Sequence, residues 1–139
     1  VEKVNNDQKF VIANKVVGHF GEDLTGKTFA IWGLAFKPET DDMREAPAIY
    51  IIKDLIERGA KINTYDPKAM HEAKSHSKYD TLKDADAMIL LTEWKEFRSP
   101  DFEELKVRLK EPIIFDGRNQ YTSLNMPEKG FTYYQIGKK

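Results

Sequence analysis

Cysteine is absent from the 139 residues. Its absence excludes disulfides, thiolate metal sites and a cysteine nucleophile within the chain. No apolar run approaches the ~20 residues that a bilayer-crossing helix needs, and no signal-peptide pattern opens the sequence. Neither charge is in excess: 22 basic residues face 23 acidic ones, for a net charge of −1. A dedicated nucleic-acid binder normally carries a basic surplus, so neither nucleic acid nor membrane is an expected partner. Repeats and low-complexity tracts are missing as well. An ordinary composition without disulfides fits a cytoplasmic protein, and the length is one domain's worth. There is no initiator methionine, and the chain opens mid-pattern on Val1-Glu2-Lys3-Val4. It reads as a piece of something longer.

Residues 1–20 carry a helical pattern. Phe10, Ala13, Val17 and Phe20 make one apolar row, which Ile12 and Val16 widen. So broad a face before the first strand suits either the end of a longer linker helix or a helix covering one face of a sheet. Gly21 and Thr25-Gly26 close it, and residues 21–139 then form the domain proper. From Lys27 strands and helices alternate. Strands are expected over 29–35, 61–65, 87–92, 112–116 and near 131–136, and helices over 47–58 and 101–110. A short helix is expected around 68–74 and one helical turn over 81–85, with the polar stretch 71–78 as a mobile loop. The run Ala87-Met88-Ile89-Leu90-Leu91-Thr92 is apolar almost throughout, as a strand buried on both faces should be. This alternation implies an α/β fold with a doubly wound, mostly parallel, Rossmann-like sheet.

In such a sheet the carboxyl ends of the strands share one edge, and ligands sit there. Four junctions should face that edge: Phe36–Arg44, Asp66-Pro67, Thr92-Glu93-Trp94 and Asp116-Gly117-Arg118. The first is long for a strand-to-helix connection. Eleven residues, Phe36 to Ala46, hold Lys37, Arg44 and four acids. Lys37 and Arg118 converging on one edge suit a phosphate or carboxylate, which arginine can bind in bidentate fashion. Pairing of each cation with a nearby acid is the alternative.

Other chemistries fit less well. Dinucleotide binding needs several glycines where backbone approaches pyrophosphate, but Gly33 is followed by Leu34, Ala35 and Phe36. Asp66 before Pro67 is then simply a turn or cap residue. Asp41-Asp42 would suit a metal or phosphoacceptor pocket, yet the strand ending Leu91-Thr92-Glu93 lacks the aspartate that a phosphoacceptor needs. Complementing a helix dipole and pairing with Arg44 account for the two acids. His19, His71 and His76 have no ligand spacing. Trp94 and Phe97 suit stacking on a base or, more simply, the core.

The stretch Gly33-Leu34-Ala35-Phe36-Lys37-Pro38-x-Thr40-Asp41-Asp42-x-Arg44-Glu45-x-Pro47 resembles the opening of the C-terminal domain of the nucleotide-sugar dehydrogenases. Tyr65-Asp66-Pro67, Thr92-Glu93-Trp94 and Phe115-Asp116-Gly117-Arg118 follow in that family's order and spacing. Pro38 and the Thr-Asp-Asp run favour the UDP-glucose 6-dehydrogenase branch over the GDP-mannose and UDP-N-acetylmannosamine branches. The resemblance covers essentially the whole chain, with residues 1–20 matching the end of the long central helix that is also the family's dimer seam.

The resemblance implies a division of labour. An N-terminal domain binds NAD and supplies a catalytic cysteine, while the C-terminal domain binds the UDP part of the substrate. UDP-glucose is oxidised at C6 to UDP-glucuronate in two hydride transfers to NAD, through an aldehyde and then a thioester held on the cysteine. Carried over by motif, Phe36, Lys37 and Arg118 contact the nucleotide sugar and Arg44 reaches the NAD. Lacking cysteine and cofactor fingerprint, this chain alone is expected to be inactive and to hold UDP for its N-terminal partner in a homodimeric enzyme of polysaccharide precursor synthesis. Three alternatives stand beside that expectation: a regulatory nucleotide-binding module, a dimerisation module without ligand, and the equivalent domain of another nucleotide-sugar dehydrogenase.

Overall fold

The computed structural model describes residues 11–33, 47–65, 79–91, 97 and 100–135. Five strands form one sheet: β1 Thr28–Trp32, β2 Lys61–Tyr65, β3 Ala87–Leu90, β4 Ile113–Asp116 and β5 Thr132–Gln135. Their order is β2-β1-β3-β4-β5, and every pairing is parallel. The direction of winding reverses between β1 and β3, the position at which open sheets of this kind place their ligands.

Period-two alternation sorts side chains to the two faces. Phe29 and Ile31 of β1, Ala87 and Ile89 of β3, and Ile113 and Phe115 of β4 face one apolar cluster. Ala30 and Trp32, Met88 and Leu90, and Ile114 face the other. All four residues of β3 are buried, as a central strand covered on both sides requires.

Helices α1 (Val11–Phe20) and α2 (Pro47–Glu57) cover the first face. Ile12 and Val16 share its cluster with Ile51 and Leu55, and Phe20 packs against it. Of the apolar pattern read from residues 1–20, Ile12, Val16 and Phe20 therefore meet the sheet. His19 extends the contact to the sheet edge, where its Nδ1 lies 2.6 Å from the Tyr134 hydroxyl. Tyr134 in turn stacks on its cross-strand partner Phe115, centroids 4.8 Å apart. Helix α2 ends as its sequence suggests: the Ala60 amide donates to the Leu55 carbonyl and the Gly59 amide to Ile56, a Schellman closure.

Helix α3 (Phe102–Arg108) covers the second face, with Leu105 buried. Asp101 caps it, its carboxylate accepting from the amides of Glu103 and Glu104 at 3.1 and 3.3 Å. Trp32 stacks on Phe97 in this layer, and its indole N–H donates to the Thr81 hydroxyl at 3.0 Å. At the amino-terminal edge Asp86 is buried, and its carboxylate accepts the Thr28 amide at 2.8 Å.

Several expectations change in detail. The first strand ends at Trp32 rather than 35, because Gly33 turns away with φ of 102°. The turn expected over 81–85 is a 3-10 turn at Asp80–Leu82. The connection from β4 to β5 holds two further 3-10 turns, Thr122–Leu124 and Met126–Lys129, which no periodicity announces. The helix around 68–74, the loop 71–78, and residues 1–10 of the first helical pattern lie outside the described residues. Among the described residues no helix is long and apolar enough to cross a membrane.

Candidate functional site at the carboxyl edge of the sheet

Each of the three central strands hands its next residue to a neighbour. Past β1, the Gly33 amide donates to the Tyr65 carbonyl at 2.8 Å. Beyond β3, the Leu91 amide donates to Trp32 at 2.9 Å, and after β4 the Gly117 amide donates to Leu90 at 2.8 Å. The carboxyl edge is thus a staircase in which the carbonyls of Tyr65, Trp32 and Leu90 are already satisfied.

Gly33 is the residue from which the 34–46 segment departs. Its positive φ is one that side-chain-bearing residues adopt with strain, so glycine at the head of that segment has a geometric cause. Gly117 is required for another reason. A β-carbon there would lie 2.9 Å from the Leu90 carbonyl oxygen and 3.2 Å from Ile12. The loop after β4 can therefore lie directly on β3 and against α1.

Arg118 is carried by that loop. Its own amide donates to Asp116 Oδ1 at 2.9 Å, and its Nε is out of solvent. Asp116, the last residue of β4, is fully buried. Its Oδ2 accepts two more donors, the Tyr121 amide at 2.8 Å and the Tyr133 hydroxyl at 2.6 Å. Tyr121 is also fully buried, and its hydroxyl donates to the Phe97 carbonyl. Burial, reinforced by the Asp116 charge, pushes the Tyr121 phenol well above the ordinary tyrosine range. The loop 117–121 is consequently pinned at both ends by one carboxylate and anchored sideways to Phe97.

Of the residues that the sequence nominates, Arg118 is placed at this edge. Phe36, Lys37 and Arg44, together with Asp41-Asp42, Asp66-Pro67, Thr92-Glu93-Trp94, His71 and His76, lie outside the described residues. Phe97 is fully buried against Trp32, which makes it core. The sequence places Asp116 in a junction at this edge without giving it a role, and Tyr133 escaped sequence reasoning. Asp-Gly-Arg carries a turn signal for Asp116, but nothing in the sequence connects it to Tyr133. Among the described residues no three His, Asp or Glu side chains gather as a metal site.

The model of the UDP-glucose/GDP-mannose dehydrogenase family, UDP binding domain, matches residues 30–123. The chain belongs to that family. This UDP-binding domain is 38% identical to UDP-glucose 6-dehydrogenase of Rhizobium meliloti (strain 1021), over 97% of the chain and 33% of that relative. It is 35% identical to UDP-glucose 6-dehydrogenase 1 of Arabidopsis thaliana, over 99% of the chain and 35% of the relative. The domain thus spans about a third of the length of the curated relatives it matches. Its fold matches UDP-D-ManNAc dehydrogenase from Pyrococcus horikoshii with a TM-score of 0.78 at 27% identity, covering 93% of the domain and 30% of that chain. It also matches the UDP-N-acetyl-mannosamine dehydrogenase of Staphylococcus aureus with a TM-score of 0.80 at 25% identity, covering 97% and 32%.

Proposed function

We propose that this domain holds the UDP moiety of UDP-glucose for an enzyme that oxidises the sugar to UDP-glucuronate with NAD. Membership of the UDP-binding family, with Arg118 on a braced loop at the expected edge, carries the reading. Phe36, Lys37 and Arg118 are assigned to the nucleotide sugar and Arg44 to the NAD. Segments leaving β1 and β4 start two strands apart, roughly 10 Å across the edge at usual strand spacing. Long cationic side chains from both can meet on one diphosphate. The relatives named UDP-glucose 6-dehydrogenase favour glucose as the sugar.

NAD belongs to the remaining two thirds of the enzyme in this reading, as do the cysteine and the hydride chemistry. Residues 1–20 form the end of the helix that joins the two domains and seams a homodimer, and residues 21–139 form the UDP-sugar domain. The enzyme works in the cytoplasm.

Calorimetric titration with UDP tests the reading. The native chain is expected to bind, and Lys37→Ala and Arg118→Ala are each expected to weaken binding at least about tenfold, equivalent to ~1.4 kcal/mol. Unchanged affinity in both variants would remove the proposed site.

A further inference from the structure

We infer that Tyr133 of β5, acting through the buried carboxylate of Asp116, is a positioning residue for Arg118 and so sets the affinity of this edge for the diphosphate. The inference rests on the UDP-binding role proposed above for Arg118. The geometry supplies the route. Asp116 is fully buried and receives three donors: two are loop amides, at Arg118 and Tyr121, and the third is the Tyr133 hydroxyl. Tyr133 pairs in register with Ile114 and Asp116 with Gln135, so Tyr133 and Asp116 project from the same face of adjacent strands. The tyrosine reaches along that face to the Oδ2 atom that holds the Tyr121 amide.

A carboxylate with one rotatable bond beyond Cβ cannot serve both loop amides unless its plane is fixed. The two backbone donors lie on the chain that is to be positioned, so they cannot fix it independently. Tyr133 is the donor that comes from outside the loop. It refers the orientation of Asp116 to the sheet, and Asp116 refers the backbone at Arg118 to itself. An arginine fork binds in bidentate fashion only where its origin is held. A small rotation of the carboxylate therefore degrades the diphosphate contact without opening the fold.

Tyr133→Phe keeps the ring and removes the tether, and Asp116→Asn keeps the side-chain volume and tests the same link from the acceptor. Each is measured by UDP titration in the native and Arg118→Ala backgrounds. The expected result is a loss of about fivefold in the native background for Tyr133→Phe. In Arg118→Ala neither variant should cause further loss, since the residue they position is gone. Amide exchange at Arg118 and Tyr121 should quicken in Tyr133→Phe while exchange in β3 stays unchanged. A loss by the same factor in both backgrounds, or native affinity in Tyr133→Phe, would overturn the positioning role. A native chain that binds no UDP, or an Arg118→Ala chain that binds it undiminished, would instead overturn the binding role of Arg118 on which the inference rests.

Discussion

Gly117 lies against the Leu90 carbonyl so closely that a β-carbon would stand 2.9 Å from that oxygen. The clashing atom is backbone in the middle of the sheet, which has no freedom to retreat, and Ile12 of α1 closes the other side at 3.2 Å. Gly117→Ala should therefore destabilise the domain by about 1–3 kcal/mol, the range for overpacking a filled interior. It should also weaken UDP binding, because the next residue is Arg118. Urea unfolding and calorimetry on one preparation check both, and an unchanged urea midpoint would contradict the close packing.

Asp86 provides the contrast. Its carboxylate receives the Thr28 amide at 2.8 Å, at the edge of the sheet opposite the proposed site. Replacing it with alanine strands a backbone donor at the head of β1, which costs about 1–3 kcal/mol. UDP affinity at a temperature where the variant is folded should match the native value. A matching loss of affinity would show that the two edges are coupled.

The Tyr121 phenol is held well above the ordinary value of 10, chiefly by burial. A folded-state value raised above the unfolded one means that the neutral form stabilises the fold. That contribution is complete below about pH 10 and declines as pH rises beyond it, because the unfolded chain ionises first. The urea midpoint should fall steeply above about pH 10. Tyr121→Phe should start from a lower midpoint, having lost the bond to Phe97, and then fall less steeply. Parallel slopes in the two proteins would place the alkaline sensitivity elsewhere.

Tyr134 separates a ring contact from a hydroxyl contact. The ring stacks on Phe115, whereas the hydroxyl meets His19 at an exposed position. Tyr134→Phe should cost no more than about 1 kcal/mol. Tyr134→Ala should cost more, because it removes an aromatic pair worth about 0.5–1.5 kcal/mol beyond its buried area. Thermal melts of the two variants decide it, and equal losses would mean that the hydroxyl bond holds α1 in place.

Most of the sheet was legible because its strands are short apolar runs between glycine and polar punctuation. Ala87 to Leu90 reads as a buried strand from composition alone, and it is one. Helix α2 was equally plain from its apolar spacing and the glycine that closes it. The span from Gly117 to Phe131 was not. Its two 3-10 turns meet at Asn125, at positive φ, and the second opens with Pro127, neither of which repeats with a period. In the site, Arg118 could be nominated because a cation directly after a strand lies at the ligand edge. The tether from Tyr133 could not, since it exists only because β5 pairs beside β4.

Phe29, in the middle of the sheet, pairs with Ile62 on one side and with Ala87 on the other. This inner strand is therefore made before either of its neighbours. At ribosomal speeds of about 5–20 residues per second, it waits on the order of several seconds for β3 to emerge. The apolar segment Thr28–Trp32 has two open edges until β2 emerges and one until β3 does, the condition under which strands of different chains pair. Yield in a cell should consequently depend on expression rate and on chaperones that shield nascent chains. Refolding from denaturant should be slow and sensitive to concentration, because each parallel pairing closes a long loop before any contact rewards it.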